Sequence, residues 1–188
     1  RILGVTAATA KPTGIGSNSD VANWEGKDPN WSLSTNMIYV DTDFPETIAL
    51  PIVEGRGFRE VDPPAGEPEF VINETLARLI GTDPVEGTRF SYGGPQGRIV
   101  GIVKDFHFDS LEAKIEPLVI LRGRDEYFRY ILVRFDKADT LGGMSALEAT
   151  WKSVLPGYPF EYSFLDEDFN DMYAAEKRMG GILRAFAA

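Results

Sequence analysis

A chain of 188 residues, 43% hydrophobic and 12% aromatic, can build one large domain or two small ones and is too apolar for disorder. Its formal net charge of −10 disfavours nucleic acid and anionic lipid as partners, because both need clustered Lys and Arg. It contains no cysteine, which excludes thiol nucleophiles, thiolate metal sites and disulfides, and no apolar run approaches the roughly eighteen residues needed to span a bilayer.

Ile2 to Ala10 is small and apolar and predicts a first strand ending at Pro12. The chain opens at Arg1 straight into that run and stops at Ala188 inside a helical pattern, so both ends are expected to be cuts in a longer protein. Gly14 to Asn36 is rich in Gly, Asn, Ser and Asp and predicts a loop, in which Trp24 and Trp31 cover a core edge or mark a contact surface. Met37 to Val40 reads as a strand. Asp41 to Asp43 followed by Pro45 then starts a short helix that Pro51 stops. Gly55-Arg56-Gly57-Phe58 reads as a tight turn. Glu60 to Glu69, acidic and carrying Pro63, Pro64 and Pro68, reads as a linker between subdomains.

Phe70 to Ile72 predicts a brief strand, and Asn73 caps a helix through Ile80 that closes at Gly81. Gly87 to Tyr92 predicts a strand, turned by Gly93-Gly94-Pro95 as a hairpin into the stretch from Gly97 to Leu121. There Ile99, Val100, Ile102 and Val103 put apolar side chains on both faces, the pattern of an interior strand, and Gly101 predicts a bulge or the close approach of another backbone. Phe106 and Phe108 then alternate with Asp105, His107 and Asp109, as in a half-buried continuation. Asp109 or Ser110 is expected to cap a short helix through Lys114, after which Leu118 to Leu121 returns as a strand. Gly123 to Glu126 is a charged loop and Tyr130 to Phe135 a strand. The following helix carries Met144, Leu147, Trp151, Val154 and Leu155 as one stripe to pack on a sheet. Phe160, Tyr162 and Phe164 predict a last strand, and Asp166, Glu167 and Asp168 the start of a helix through Phe186.

His107 is the only histidine and shares an extended face with Asp105 and Asp109. An imidazole with two carboxylates holds a divalent metal or acts as a base with an orienting acid, which would make the chain a soluble metal-dependent hydrolase. The wet face of a strand accounts for the same three residues. A calcium loop beginning at Asp166 fails, because Asp171 stands where glycine is needed and Lys177 where a bidentate glutamate is needed. Nucleophile elbows, Walker loops and dinucleotide fingerprints are missing from the sequence. Tyr127, Phe128, Tyr130, Trp24 and Trp31 line a carbohydrate or peptide groove in a binding-module reading, and pack a core in the plainer one. The residues therefore assign no catalytic, cofactor-binding or metal-ligating side chain, and no cofactor is expected.

VGIVKDFHFDSLEAKIEPLVI, residues 100 to 120, resembles the hallmark segment of the MacB-like periplasmic core domain of ABC transporter permeases of the FtsX and MacB type. FVINETLARLIG (70 to 81) with DPVEGTRF (83 to 90) is similar to the segment preceding that hallmark. ETIALPIVEGRGF (46 to 58) is similar to the family's helix and G-R-x-F turn, and YPFEYSFLDEDFNDMYAAEKRMGGI (158 to 182) to its final strand and stalk helix. The resemblance implies an α+β fold: a porter-like subdomain of residues 1–66 and 126–188, interrupted by a sabre-like subdomain of 67–125. It also implies a non-enzymatic domain on the periplasmic face of the bacterial inner membrane. Its partners would be its own transmembrane helices, an ABC ATPase and a second permease copy or paralogue. The helix from Asp168 to Phe186, roughly 28 Å long at about 1.5 Å per residue, would then act as a lever softened at Gly180-Gly181.

Overall fold

A computed structural model describes residues 1–16, 18–60, 66–108 and 114–170. Ten strands form one sheet among them: β1 (Ile2–Ala8), β2 (Asn18–Ser19), β3 (Ala22–Trp24), β4 (Thr35–Val40), β5 (Ile52–Gly55), β6 (Glu69–Asn73), β7 (Arg89–Tyr92), β8 (Gly97–Val103), β9 (Leu118–Arg122) and β10 (Tyr130–Phe135). Helices α1 (Phe44–Thr47), α2 (Glu74–Ile80) and α3 (Thr140–Val154) accompany them, and residues 165–170 are helical as well. The strand order is β10-β1-β4-β9-β6-β8-β7-β3, with β2 added to β4 and β5 to β8. Two contacts, β4 with β9 and β6 with β8, are parallel and the rest antiparallel. The expected α+β class with a mixed sheet is what the chain adopts.

The central strands are apolar on both faces, so each face carries its own core. Along β6, Phe70 and Ile72 point into one core and Val71 into the other. Fully buried Phe70, Phe90 and Ile99 anchor the face covered by α2, while Phe44, Ile38 and Leu118 anchor the opposite one. Each buried side chain of this size contributes about 1.5–3 kcal/mol.

The expected irregularity at Gly101 has a definite geometry. Phe70 pairs with Ile99 and Val71 with Gly101, so Val100 is the extra residue of a bulge. A regular strand would set Val100 and Ile102 on one face. The bulge instead restores Ile102 to the face of Ile99, opposite Ile72, and Val103 to the face of Val100. Here too β8 changes its second partner, from β7 at Gly97 and Arg98 to β5 from Gly101 onward. Arg56 follows β5, and its backbone N–H donates to the Val100 carbonyl at 2.9 Å. A Cβ on Gly101 would lie 2.0 Å from the Arg56 carbonyl oxygen, and Gly55 makes the adjoining turn at φ +70°.

Several local expectations are corrected. Gly55 to Phe58 is the end of a strand as well as a turn, because β8 offers Ile52–Gly55 a ladder. The loop from Gly14 to Asn36 contains β2 and β3, which find partners in β4 and β7. Strand β8 stops at Val103, so Phe106 and Phe108 leave the ladder and pack ring against ring at 5.6 Å. Residues 159–164 form no strand. An extended segment becomes one only beside a free backbone edge, and a groove of about 320 Å³ separates it from β10. Phe160, Tyr162 and Phe164 pack ring against ring instead, tilted at 5.4 Å and edge-on at 5.7 Å. The stripe on α3 is only partly covered: Met144, Leu147 and Trp151 are half-buried and Val154 is 69% exposed, while the helix's buried residue is Gly143, which packs against Phe135 and is not part of the stripe. The expected helix from Asp109 or Ser110 through Lys114 lies, except for Lys114 itself, outside the described residues. The strands of 67–125 are bonded to the flanking segments by β3–β7, β4–β9 and β5–β8, so one sheet is shared by the two expected subdomains.

Replacing Gly101 with alanine should cost about 1–3 kcal/mol, because a rigid backbone oxygen occupies the space its Cβ needs. Urea denaturation of the isolated chain measures this, and an unchanged midpoint would refute the crossing.

Candidate functional site

The densest polar arrangement lies where the parallel strands β6 and β8 end, the position at which open α/β sheets commonly bind ligands. Three segments meet there: the turn from β6 into α2, the residues after β8, and Glu116-Pro117 before β9. Asn73 joins them. Its side chain is fully buried, and Oδ1 accepts the N–H groups of Leu76 and Leu118, both at 3.0 Å. Its Nδ2 donates to the Glu116 carbonyl at 2.9 Å. Asn36 completes the grip: its Nδ2 donates to the Glu116 carboxylate at 2.7 Å and its backbone N–H to the Pro117 carbonyl at 2.8 Å.

Asp105 occupies the position that an anionic ligand would take at this helix start. Its carboxylate accepts the backbone N–H and the hydroxyl of Thr75, each at 2.9 Å, and the Arg78 guanidinium at 2.7 Å. Glu74 reciprocates by accepting the Asp105 backbone N–H at 2.9 Å. Burial pushes the Asp105 carboxyl upward, but the bonds from Arg78 and Thr75 outweigh it and hold the group below the usual carboxylate range. Among the described residues no three of His, Asp and Glu gather as a metal site. Asp105 thus bonds Thr75 and Arg78 of α2, and Asp109 lies outside the described residues.

A second polar pair fixes the turn after β5. Arg56 meets Glu69 in a two-pronged contact at 2.6 and 3.0 Å and also donates to the Gly57 carbonyl at 2.8 Å. The shared hydrogen bonds raise the Arg56 pKa and lower that of Glu69.

The other candidates separate. Trp24 is buried, stacked on Phe90 at 6.4 Å, and Trp31 caps it edge-on at 5.6 Å, so this pair closes a core edge. Tyr127 lines a different opening, beside Tyr39 at 5.5 Å. Asp166, Glu167 and Asp168 stand in the first turn of helical residues 165–170, as their charge requires. Asp168 also receives Lys11 at 2.8 Å and Ser163 at 3.2 Å. The helix capping by Asn73 was readable from its position before an apolar run. Its bonds to β9, and the contacts of Asn36, Glu116, Arg78 and Arg56, carry no local signal because their partners are distant in sequence.

The fold and this self-satisfied network define a mixed-sheet α/β module whose central polar side chains are committed to its own backbone. The chain belongs to the MacB-like periplasmic core domain family, which it matches over residues 3–146. The resemblance seen in residues 100 to 120 and their flanks is therefore correct. The periplasmic region of MacB from Actinobacillus actinomycetemcomitans is a similar structure, with TM-score 0.55 and 16% identity over 81% of this chain and 67% of that one. A domain of a protein described as a permease from Porphyromonas gingivalis gives 0.51 and 18%, over 79% and 68%. The extracellular domain of the noncanonic ABC-type transporter YknZ from Gram-positive bacteria gives 0.50 and 15%, over 76% and 70%. At these identities the likeness is one of fold. No curated protein matches the sequence.

Asn73→Ala should destabilise the chain by about 3–5 kcal/mol, since it strands two buried N–H groups and one carbonyl at once. Chemical denaturation tests this, with a loss below that of an ordinary surface change as the contrary result. Asp105→Asn should cost about 1–2 kcal/mol near pH 7. A depressed carboxyl stabilises the fold above its unfolded value of about 3.9 and loses that contribution as pH falls through the folded one. Parent and variant should therefore converge in acid, and parallel stability profiles down to low pH would contradict the assignment.

Proposed function

We propose that this chain is the domain of an ABC transporter permease on the periplasmic face of the bacterial inner membrane, where it couples ATP-driven motion to the export or release of a substrate. Membership of the MacB-like family over residues 3–146 carries this reading. The engagement of Asp105 with α2 weighs against the metal-dependent hydrolase. No helix among the described residues is long and apolar enough to cross a membrane. The partners in this reading are the permease's own transmembrane helices, an ABC ATPase and a second permease copy or paralogue. The division into a porter-like part of 1–66 and 126–188 and a sabre-like part of 67–125 belongs to the same proposal, with the shared sheet as its joint.

Movement needs a route from the helix that begins near residue 165 into the sheet. The described residues offer one through Lys11, just past β1. Its ammonium bonds both Ser163 at 2.7 Å and Asp168 at 2.8 Å. Being partly exposed, this link adds no more than about 1 kcal/mol to stability, so its removal separates coupling from folding. In the parent transporter reconstituted in proteoliposomes, Lys11→Ala should change the rate of ATP hydrolysis. The unfolding midpoint of the isolated domain should stay in place. An unaltered rate would remove Lys11 from the route.

A further inference from the structure

Strand β10 ends the sheet with a backbone edge that no strand covers among the described residues. It lacks the usual protections of such an edge. Tyr130 to Phe135 holds no proline and a single charge, Arg134, which is drawn off to the Glu46 carbonyl at 3.3 Å. Beside the edge lies the groove of about 320 Å³. Ile131 and Val133 of β10 line it together with Met144 and Leu147 of α3, and Tyr162 and Phe164 form its far wall.

That wall already has the backbone of a strand. Alternate side chains of an extended segment share a face, and the rings of Phe160, Tyr162 and Phe164 follow one another at 5.4 and 5.7 Å, so joining a ladder would order little further chain. The segment is tied at both ends. At its start Trp151 of α3 donates its Nε1–H to the Tyr158 carbonyl at 3.2 Å and packs on the Phe160 ring at 6.0 Å. At its end the Lys11 ammonium donates to the Ser163 hydroxyl at 2.7 Å and to the Asp168 carboxylate at 2.8 Å. Lys11 follows β1, the neighbour of β10 on the side away from the free edge, and with Asp168 it borders a cavity at Arg129 and Tyr130, where β10 begins. This latch therefore draws the segment toward the end of β10 instead of along its edge.

We propose that residues 159–164 are a strap with two positions, held off the sheet while Lys11 is bonded and closed on the free edge of β10 as an additional strand once Lys11 lets go. Closing covers Ile131 and Tyr162, each 62% exposed in the open position, and gives the outer N–H and C=O groups of β10 their partners. Because the strap leads straight into helical residues 165–170, closing also displaces the start of that helix. The device belongs to the domain alone and requires no transport step, so its failure leaves the coupling role standing.

Hydrogen–deuterium exchange of the folded chain near neutral pH provides the test. Lys11→Ala should slow exchange in Tyr130–Phe135 and in residues 160–164 together, by about two- to fivefold, the most that loss of one exposed ion pair shifts an equilibrium. Neighbouring residues of a strand turn their N–H groups to opposite sides, so one of Tyr162→Pro and Ser163→Pro must remove a bond to β10. In the Lys11→Ala background at least one of them should return β10 to the parent rate. Unchanged protection of β6 and β8 confirms that each variant is folded. Three outcomes overturn the proposal: exchange in β10 that Lys11→Ala leaves unaltered, slowing that survives both prolines, or slowing that grows with chain concentration, which gives the edge to a second copy.

Discussion

The amide of Asn73 is the constraint on which the middle of this molecule depends. It lies fully buried at the end of β6 and closes the first turn of α2 on one side while taking the N–H of Leu118 and the carbonyl of Glu116 on the other. A buried amide is tolerated only when its donors and acceptors are satisfied, and here the partners belong to three different elements. The same atoms that stop a strand and start a helix therefore also fix where β9 enters the sheet. Glu116 is held a second time by Asn36, which aligns β9 with the parallel strand β4.

Around that point the sheet has to serve two cores at once. A regular β8 would place Ile99, Val100, Ile102 and Val103 out of phase with β6 over part of its length. One extra residue at Val100 corrects the phase, and the absence of a side chain at Gly101 lets the carbonyl of Arg56 approach the same spot. Arg56 is then held from the other side by Glu69 at the start of β6. Bulge, glycine and ion pair form one device that ties β5, β6 and β8 together, which is why the segment Gly55-Arg56-Gly57-Phe58 and the segment around Gly101 belong to the same structural problem.

The polar groups at the carboxyl ends of β6 and β8 show how a fold with a conventional ligand position can close it. Asp105 supplies the negative charge that the N-terminus of α2 attracts, and Arg78 neutralises it within hydrogen-bonding distance. Membership of a family of periplasmic core domains fits a module built this way, its central polar groups bonded to one another and part of its backbone left free at sheet edges. The splayed junction of β1 and β4 is one such edge, and the unpaired side of β10 among the described residues is another.

Most of the elements could be located from residue patterns because their signals are local: alternation or apolar runs in β1, β4, β6, β8 and β10, the Asn73 and Gly81 caps of α2, and the glycine inside β8. The motifs around residues 70 to 120 also carried the family. Expectations failed where formation of an element needs a remote partner. Residues 52–55 become a strand because β8 lies beside them, whereas residues 159–164 have equally good alternation and remain outside the sheet because a groove separates them from the free edge of β10. Asp105 and His107 share a face on paper, but an arginine and a helix start distant in sequence claim the Asp105 carboxylate. The sequence alone thus determined which segments prefer extended or helical backbone and which faces they bury, because those preferences reside in neighbouring residues. Only the tertiary structure decided which edges meet, which polar groups are consumed and which cleft stays open, because these depend on contacts between residues tens of positions apart.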